Sequence, residues 1–246
     1  MLMVGILWGT TNPLLKLGWK SSAQPTVEID SQKIDPSTAF DFIPARPSDK
    51  DDIVKLCVNE FIHVEPHSKA LKLTEEASRN IFEYIAAKSL HYPYSYRIHE
   101  KDTGRLIGFR LLSIGHRDPS LDVEPVPLAE VSHPGAKRIC EILEESKAKM
   151  WRWADDGVRK VLRREITYVT PRHQRKGIAN FLIHLGLDFK ALRSIGVHGI
   201  TSEASSLANQ RLLEKHGYVC VGKPDYKLEM HDGNEGVKVY FKDLRH

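Results

Sequence analysis

The sequence predicts a mixed α/β domain of the α+β kind, with helices flanking one central sheet. Three observations carry this. Segments that alternate apolar and polar residues at period 2 are interleaved with segments of period 3.6, in the order β-α-α-β-β-(α)-β-α-β-α-β-β. The composition is that of a soluble globular chain: 246 residues, 41% hydrophobic and 28% charged, enough for one good core. The stretch from Ile166 to Ala179, ITYVTPRHQRKGIA, reads as a strand running through a Pro-containing turn into a helix.

In chain order, residues 1–38 read as an apolar appendage and linker, and residues 39–246 as the globular domain. Residues 1–20 are apolar but interrupted by Gly, Thr, Asn and Pro, so the uninterrupted run falls short of the ~20 residues that span a bilayer. The string WGTTNPLLKLG resembles the first membrane helix of a small multi-span family related to drug/metabolite transporters. No later helices of that family follow, so 1–20 is expected to be an appendage, with membrane contact as the alternative. Residues 21–38 are polar with two prolines and read as a linker.

Phe40–Pro44 alternates as a strand. Ser48 or Asp49 caps a helix over Asp52–Phe61, with Ile53, Leu56, Cys57 and Phe61 on one face. His63–His67 breaks it, and Thr74 caps a second helix to Ser89, with Glu75 and Glu76 in its first turn. Tyr94–His99 and Leu106–Ile114 form a hairpin around Lys101–Gly104. Residues 115–134 hold four prolines and one glycine and read as a long loop of the kind that carries function. Residues 134–157 have helical spacing, and Val161–Val169 is the central strand. One long helix is expected from Ile178 through Phe181, Leu182, Leu185, Leu187, Phe189 and Leu192. Val197–Thr201 is a buried strand. Ser205 or Ser206 caps the next helix, Gly217 stops it, and Tyr218–Lys223 and Val237–Lys242 close the sheet.

The strand-loop-helix stretch suits an anion. Amides at a helix N-terminus lack partners and face a favourable dipole, and Gly177 permits close approach of backbone to ligand. A basic, solvated turn is the bland alternative. The spacing Gln174-x-x-Gly177-x-Ala179 resembles the Q/R-x-x-G-x-G/A pyrophosphate loop of the Gcn5-related N-acetyltransferases (GNAT). Ser206-Leu-Ala-Asn209-Gln-Arg-Leu-Leu-Glu-Lys-His-Gly217-Tyr218 resembles that family's second signature, and the element order is the family's order from about Phe40 to Leu244. Phe61-Ile-His-Val-Glu65-Pro66 is similar to the F-x-x-x-E-P segment of invertebrate arylalkylamine-type members, which also carry a long helix before the central strand.

The resemblance implies a GNAT fold, with a mixed sheet of about seven strands splayed at the cofactor site. It implies acetyl-coenzyme A as cosubstrate, held by Gln174, Arg175, Lys176, Gly177, Ile178 and Ala179 around the diphosphate, by the Val169 backbone, which also serves as oxyanion donor, and by Asn209. The implied activity is acetyl transfer to a primary amine, in particular a small arylalkylamine, by direct attack. Protein lysine or N-terminal acetylation and non-catalytic acyl-coenzyme A binding are the alternatives.

An amine must shed its proton to attack. Against a pKa near ~10.4, neutralising it at pH 7 costs about 4–5 kcal/mol, so a positioned base matters. The resemblance points to Glu65; a solvated turn glutamate is its plain reading. Glu165 on the central strand is the rival, sharing a face with Thr167 and Val169 by alternation, or else ion-paired with Arg163 or Arg164. The family's tyrosine acid falls on Leu213 here, so that acid is absent, and Ser205 is the candidate in its place, with helix capping as its other reading. Phe61, Tyr84, Tyr92, Tyr94, Trp151 and Trp153 are candidates for the amine pocket or ordinary core.

A net charge of +4 fits an anionic cosubstrate and lacks the dense basic face of a nucleic-acid binder. Cys57, Cys140 and Cys220 show no paired spacing, which argues for a reducing, cytoplasmic setting and against disulfides. The twelve histidines make no ligand cluster, so no metal is expected. A monomer or weak dimer is expected.

Overall fold

A computed structural model describes residues 35–246. The predicted appendage, its linker up to residue 34 and the membrane contact by 1–20 lie outside the described residues. The seven strands are β1 (Phe40–Pro44), β2 (Tyr96–Glu100), β3 (Leu106–His116), β4 (Lys160–Val169), β5 (Gly199–Ala204), β6 (Val219–Gly222) and β7 (Lys238–Asp243). They form one sheet in the order β1-β2-β3-β4-β5-β7-β6, antiparallel throughout except for the parallel pair β4–β5.

Helices α1 (Lys50–Leu56), α2 (Ile62–Val64), α3 (Pro66–Ala70), α4 (Glu75–Leu90) and α5 (Pro134–Trp153) precede β4; α6 (Ile178–Leu182), α7 (Phe189–Ser194) and α8 (Leu207–Lys215) follow it. One sheet face packs Phe109, Leu111, Ile166 and Tyr168 against Ile53, Val54, Phe82 and Ala86 of α1 and α4. Farther along the same face, Val161, Val239 and Phe241 pack against Met150 and Ala154 at the end of α5. The opposite face sets Leu112, Leu162, Ile200 and Tyr240 against Ile183, Leu192 and Leu213. Each Val, Leu, Ile, Phe or Met side chain buried there is worth about 1.5–3 kcal/mol of transfer free energy, so the two helical layers clamp the sheet between them.

Two local expectations are corrected. The long helix expected after Gly177 is two short ones, α6 and α7. Gly186 adopts φ +66° between them, and Asp188 starts α7 afresh by accepting from the amides of Lys190 (2.8 Å) and Ala191 (3.1 Å). The buried Arg110 side chain donates to the carbonyls of Leu182 and Leu185, and Arg164 donates to that of Ile183 (2.9 Å). These guanidinium groups take the acceptors that a continuing helix would use.

The second correction concerns Glu165. The β3–β4 register slips between Leu111, opposite Ile166, and Leu112, opposite Arg164, leaving Glu165 as the extra residue of a β-bulge. The bulge resets the alternation. Glu165 accepts from Ser113 Oγ (2.5 Å), on the face that holds Tyr168, whereas Thr167 is within reach of Arg164 (3.4 Å) and Val169 packs with Ile178 on the other. Glu165 therefore does not share a face with Thr167 and Val169, and no ion pair joins it to Arg163 or Arg164 within 4 Å among the described residues. Among those residues, too, no helix is long and apolar enough to cross a membrane.

Candidate active site

The parallel pairing of β4 with β5 covers only Val161–Arg164 against Gly199–Ser202. β4 then runs on beside β3 to Val169, and β5 runs on beside β7 to Ala204. Beyond Arg164 and Ser202 the two strands no longer bond to each other, so the sheet opens there. Thr170 donates its amide to Ile107 (2.8 Å), and Val169 lies opposite Gly108. The alternation of an antiparallel ladder then turns the N–H and C=O of Val169 away from β3 and into the opening. The Val169 carbonyl accepts from the Gln174 side-chain amide (2.9 Å).

The loop that follows is fixed at its start. His173 is buried, bonded at Nδ1 to Thr170 Oγ1 (2.8 Å) and at Nε2 to Glu100 (2.9 Å). Arg175 (φ +61°) and Gly177 (φ +79°) are both left-handed, which reverses the chain tightly before α6. Gln174, Arg175, Lys176 and Gly177 are exposed, Ile178 is buried and Ala179 is half-buried. Gly177 caps α6 without a side-chain bond, so the first amides of α6 keep no side-chain partner. The Lys176 ammonium lies over the Phe40 ring at 5.8 Å.

Across the opening, Ser206 caps α8 by accepting from the Asn209 amide (3.3 Å). Ser205 is therefore not the cap; it is half-buried, and its carbonyl accepts from Asn234 (3.2 Å). Asn209 is half-buried in the first turn of α8, and Leu213 is wholly buried.

Glu65 is not a solvated turn residue. It is buried at 6% exposure, breaks the helix with extended backbone (φ −70°, ψ +128°) and caps α3. Its carboxylate accepts from the amides of His67 (3.1 Å) and Ser68 (2.6 Å) and from Ser68 Oγ (2.6 Å), with His67 Nδ1 at 3.5 Å. Burial opposes its charge, but these donors outweigh burial and hold its pKa below the usual carboxylate value. His67 Nε2 bonds to Tyr226 (2.7 Å), whose hydroxyl accepts from the Val237 amide (2.8 Å), so α3 is tied to the approach to β7.

On the α5 side of the opening lies a charged cluster. Arg163 pairs with Asp122 (3.0 Å), which also meets His116 (3.0 Å) and Lys88 (3.6 Å). Glu165 and Glu203 sit beside Arg163 and Lys147, and burial followed by repulsion from Glu165 raises the Glu203 carboxyl to about 7. Of the proposed pocket aromatics, Phe61 packs edge-on against Phe82 and Tyr168, as core, and Trp153 is 52% exposed against Phe241. The structure thus brings the loop, the free edge of β4, Glu165 and the start of α8 around one opening. It makes Glu65 the cap of α3, already accepting from the His67 and Ser68 amides and the Ser68 hydroxyl. Sequence reasoning missed Glu203, which follows the expected end of β5, although the small Ser202 and Ala204 on either side of it continue the strand's alternation.

No family model and no curated protein matches the sequence. The fold is shared with solved structures. Arylalkylamine N-acetyltransferase 2 from Aedes aegypti is 20% identical over 83% of this chain and 99% of its own, with a TM-score of 0.65. The putative arylalkylamine N-acetyltransferase 7 of the same mosquito is 12% identical over 83% and 87%, at 0.63. The C-terminal condensation domain of Ebony, solved with beta-alanyl-dopamine, is 16% identical over 83% and 98%, at 0.61. The chain therefore has the acetyltransferase fold, with its seven-stranded mixed sheet flanked by helices. Within that class its architecture is like that of the arylalkylamine N-acetyltransferases, spanning nearly their whole length.

Proposed function

We propose that this domain transfers an acetyl group from acetyl-coenzyme A to a primary amine, and that small arylalkylamines are its substrates. The opening between β4 and β5, with the Val169 backbone turned into it, carries this reading. An extended arm that bears amides, as pantetheine does, is matched by a strand edge that β5 leaves unpaired. The turn from Gln174 to Ala179, exposed as far as Gly177, begins five residues beyond Val169 and offers its backbone amides to a diphosphate, while Arg175 and Lys176 supply positive charge. Asn209 stands at the far side of the opening. The names of the fold neighbours, which act on arylalkylamines, support the amine class.

In this site the neutral amine attacks the thioester carbonyl, the C–N bond forms and the C–S bond breaks. The Val169 amide is placed to donate to the oxygen that gains charge. With Leu213 buried at the position of the family's acid, the sulfur leaves as thiolate or takes a proton from Ser205, whose hydroxyl the cap at Ser206 leaves free. A thiol pKa near ~8.5 makes thiolate a tolerable leaving group. The test is release of free thiol from acetyl-coenzyme A across a panel of arylalkylamines, polyamines and amino acids. Turnover of an arylalkylamine is expected. Protein that binds coenzyme A yet acetylates no amine, even at high pH, is a non-catalytic module and overturns the proposal.

A further inference from the structure

We propose that Glu203, with Glu165 beside it, is the group that takes the proton from the attacking amine. This rests on the acetyltransferase reading above and deepens it.

The first support is position. Arg164 and Ser202 form the last β4–β5 pair, so Glu165 and Glu203 are the first residues past it on each strand. Ile200 and Ala204 pack on the face of α7 and α8, which turns Glu203 to the α5 face. The bulge sends Glu165 to that same face. Both carboxylates therefore stand at the lip of the opening.

The second support is an unfilled acceptor. Oε1 of Glu203 is buried and has no hydrogen-bond partner. Buried carboxylate oxygens are bonded as a rule, so one left open next to the β4–β5 opening calls for a donor from outside, and an ammonium N–H supplies one.

The third support is charge. The groups that act on Glu203 are Glu165 and Arg163 from β4 and Lys147 from α5, while β7 sets Val239 opposite it. Arg163 is engaged by Asp122 (3.0 Å) and Lys147 by Glu144 (2.8 Å). Tyr84 of α4 faces Glu165 as a neutral phenol. Both cations also answer to Glu165, ahead of Asp122 and Glu144, and more weakly to Glu203; at Glu203 burial and repulsion from Glu165 outweigh them and lift it to about 7. Such an acceptor is half ionised at neutral pH and lies only some three powers of ten below an amine near ~10.4. Glu65, engaged by three donors of its own and held below the usual carboxylate value, is the poorer acceptor. In the step, the amine nitrogen bonds to the acetyl carbon, its proton passes to Glu203, and the electron pair of the broken C–S bond leaves on the coenzyme sulfur.

The experiment compares wild type, Glu203→Gln, Glu203→Asp, Glu165→Gln and Glu65→Gln across pH, with coenzyme A affinity measured alongside. Glu203→Gln should lower kcat/KM at pH 7 by roughly 100-fold or more. The deficit should shrink towards pH 10, where the amine is neutral unaided. Coenzyme A affinity should hold within about two-fold, which shows a folded site. Glu203→Asp should recover part of the loss. Glu165→Gln removes the like charge and should move the acidic limb of the kcat/KM profile to lower pH; Glu65→Gln should leave that limb where it is. Wild type active with Glu203→Gln equally active overturns this assignment alone. Wild type that binds coenzyme A and turns over no amine overturns the acetyltransferase reading, and this one with it. A limb that moves with Glu65→Gln and not with Glu165→Gln assigns the proton to Glu65 instead.

Discussion

Replacing Glu65 by Ala should register first as a loss of stability and only secondarily as a loss of chemistry. The side chain caps α3 and satisfies three buried donors: the amides of His67 and Ser68 and the Ser68 hydroxyl. Losing a cap costs about 0.5–2 kcal/mol, and each buried donor left without a partner adds about 1–3 kcal/mol, less than additively. A total near 3 kcal/mol follows. With a urea slope of about 2–3 kcal/mol/M, the unfolding midpoint should fall by about 1 M. The sign with pH is defined. The folded pKa lies below the unfolded value, so the stabilising contribution is present above the ordinary carboxylate pKa and is lost as pH falls through the lowered one. Wild type and Glu65→Ala should thus differ most at neutral pH and converge in strong acid. Urea titrations followed by the fluorescence of Trp151 and Trp153, at pH 7 and at acid pH, measure this. A midpoint at pH 7 within about 0.2 M of wild type, together with a turnover loss of two orders of magnitude, would refute the reasoning: the cap would then be incidental and the carboxylate catalytic.

Three further outcomes are expected. Gly186→Ala places a Cβ on the Tyr96 hydroxyl at a left-handed position, φ +66°, and should cost about 1–3 kcal/mol in a thermal or urea melt. Arg175→Gly relieves a non-glycine left-handed residue, φ +61°; it should raise stability by up to about 1 kcal/mol while weakening coenzyme A binding a few-fold, with the difference fading in high salt. Glu203→Gln should stabilise the protein at pH 8 and leave it unchanged at pH 4. A carboxyl raised from 4.5 to about 7 keeps its stabilising contribution below the unfolded value and loses up to about 3 kcal/mol as pH rises through 7, and urea midpoints at the two pH values report it.

The loop was legible in the sequence because its chemistry is local. Gly177 sits where φ is +79°, and the apolar alternation of Val161–Val169 becomes a strand from Lys160 to Val169. What was not legible depends on partners distant in sequence. The spacing of Leu182, Leu185, Phe189 and Leu192 suits one helix, yet the turns between are dismantled by guanidinium groups at Arg110 and Arg164, from strands laid down earlier in the chain. The orientation of Glu165 depends on a register slip set by β3, which no period-2 reading of β4 contains. Glu203 was passed over because β5 begins at Gly199 and ends at Ala204, a frame set by pairing with β7 and not by its own composition. Glu65 was found as a residue, but its engagement by Ser68 and His67 follows from helix capping geometry that only the folded turn reveals.

The bond from the Gln174 side chain to the Val169 carbonyl means that the strand edge already holds an amide supplied by the chain itself. A ligand amide arriving at that oxygen exchanges one bond for another. The usual net gain of about 0.5–1.5 kcal/mol for a new hydrogen bond is therefore absent at this carbonyl, and the displaced Gln174 must find water or phosphate oxygen as its next partner. Affinity at this edge is thus set by where the evicted side chain goes, and a tally of contacts in the complex would overstate it.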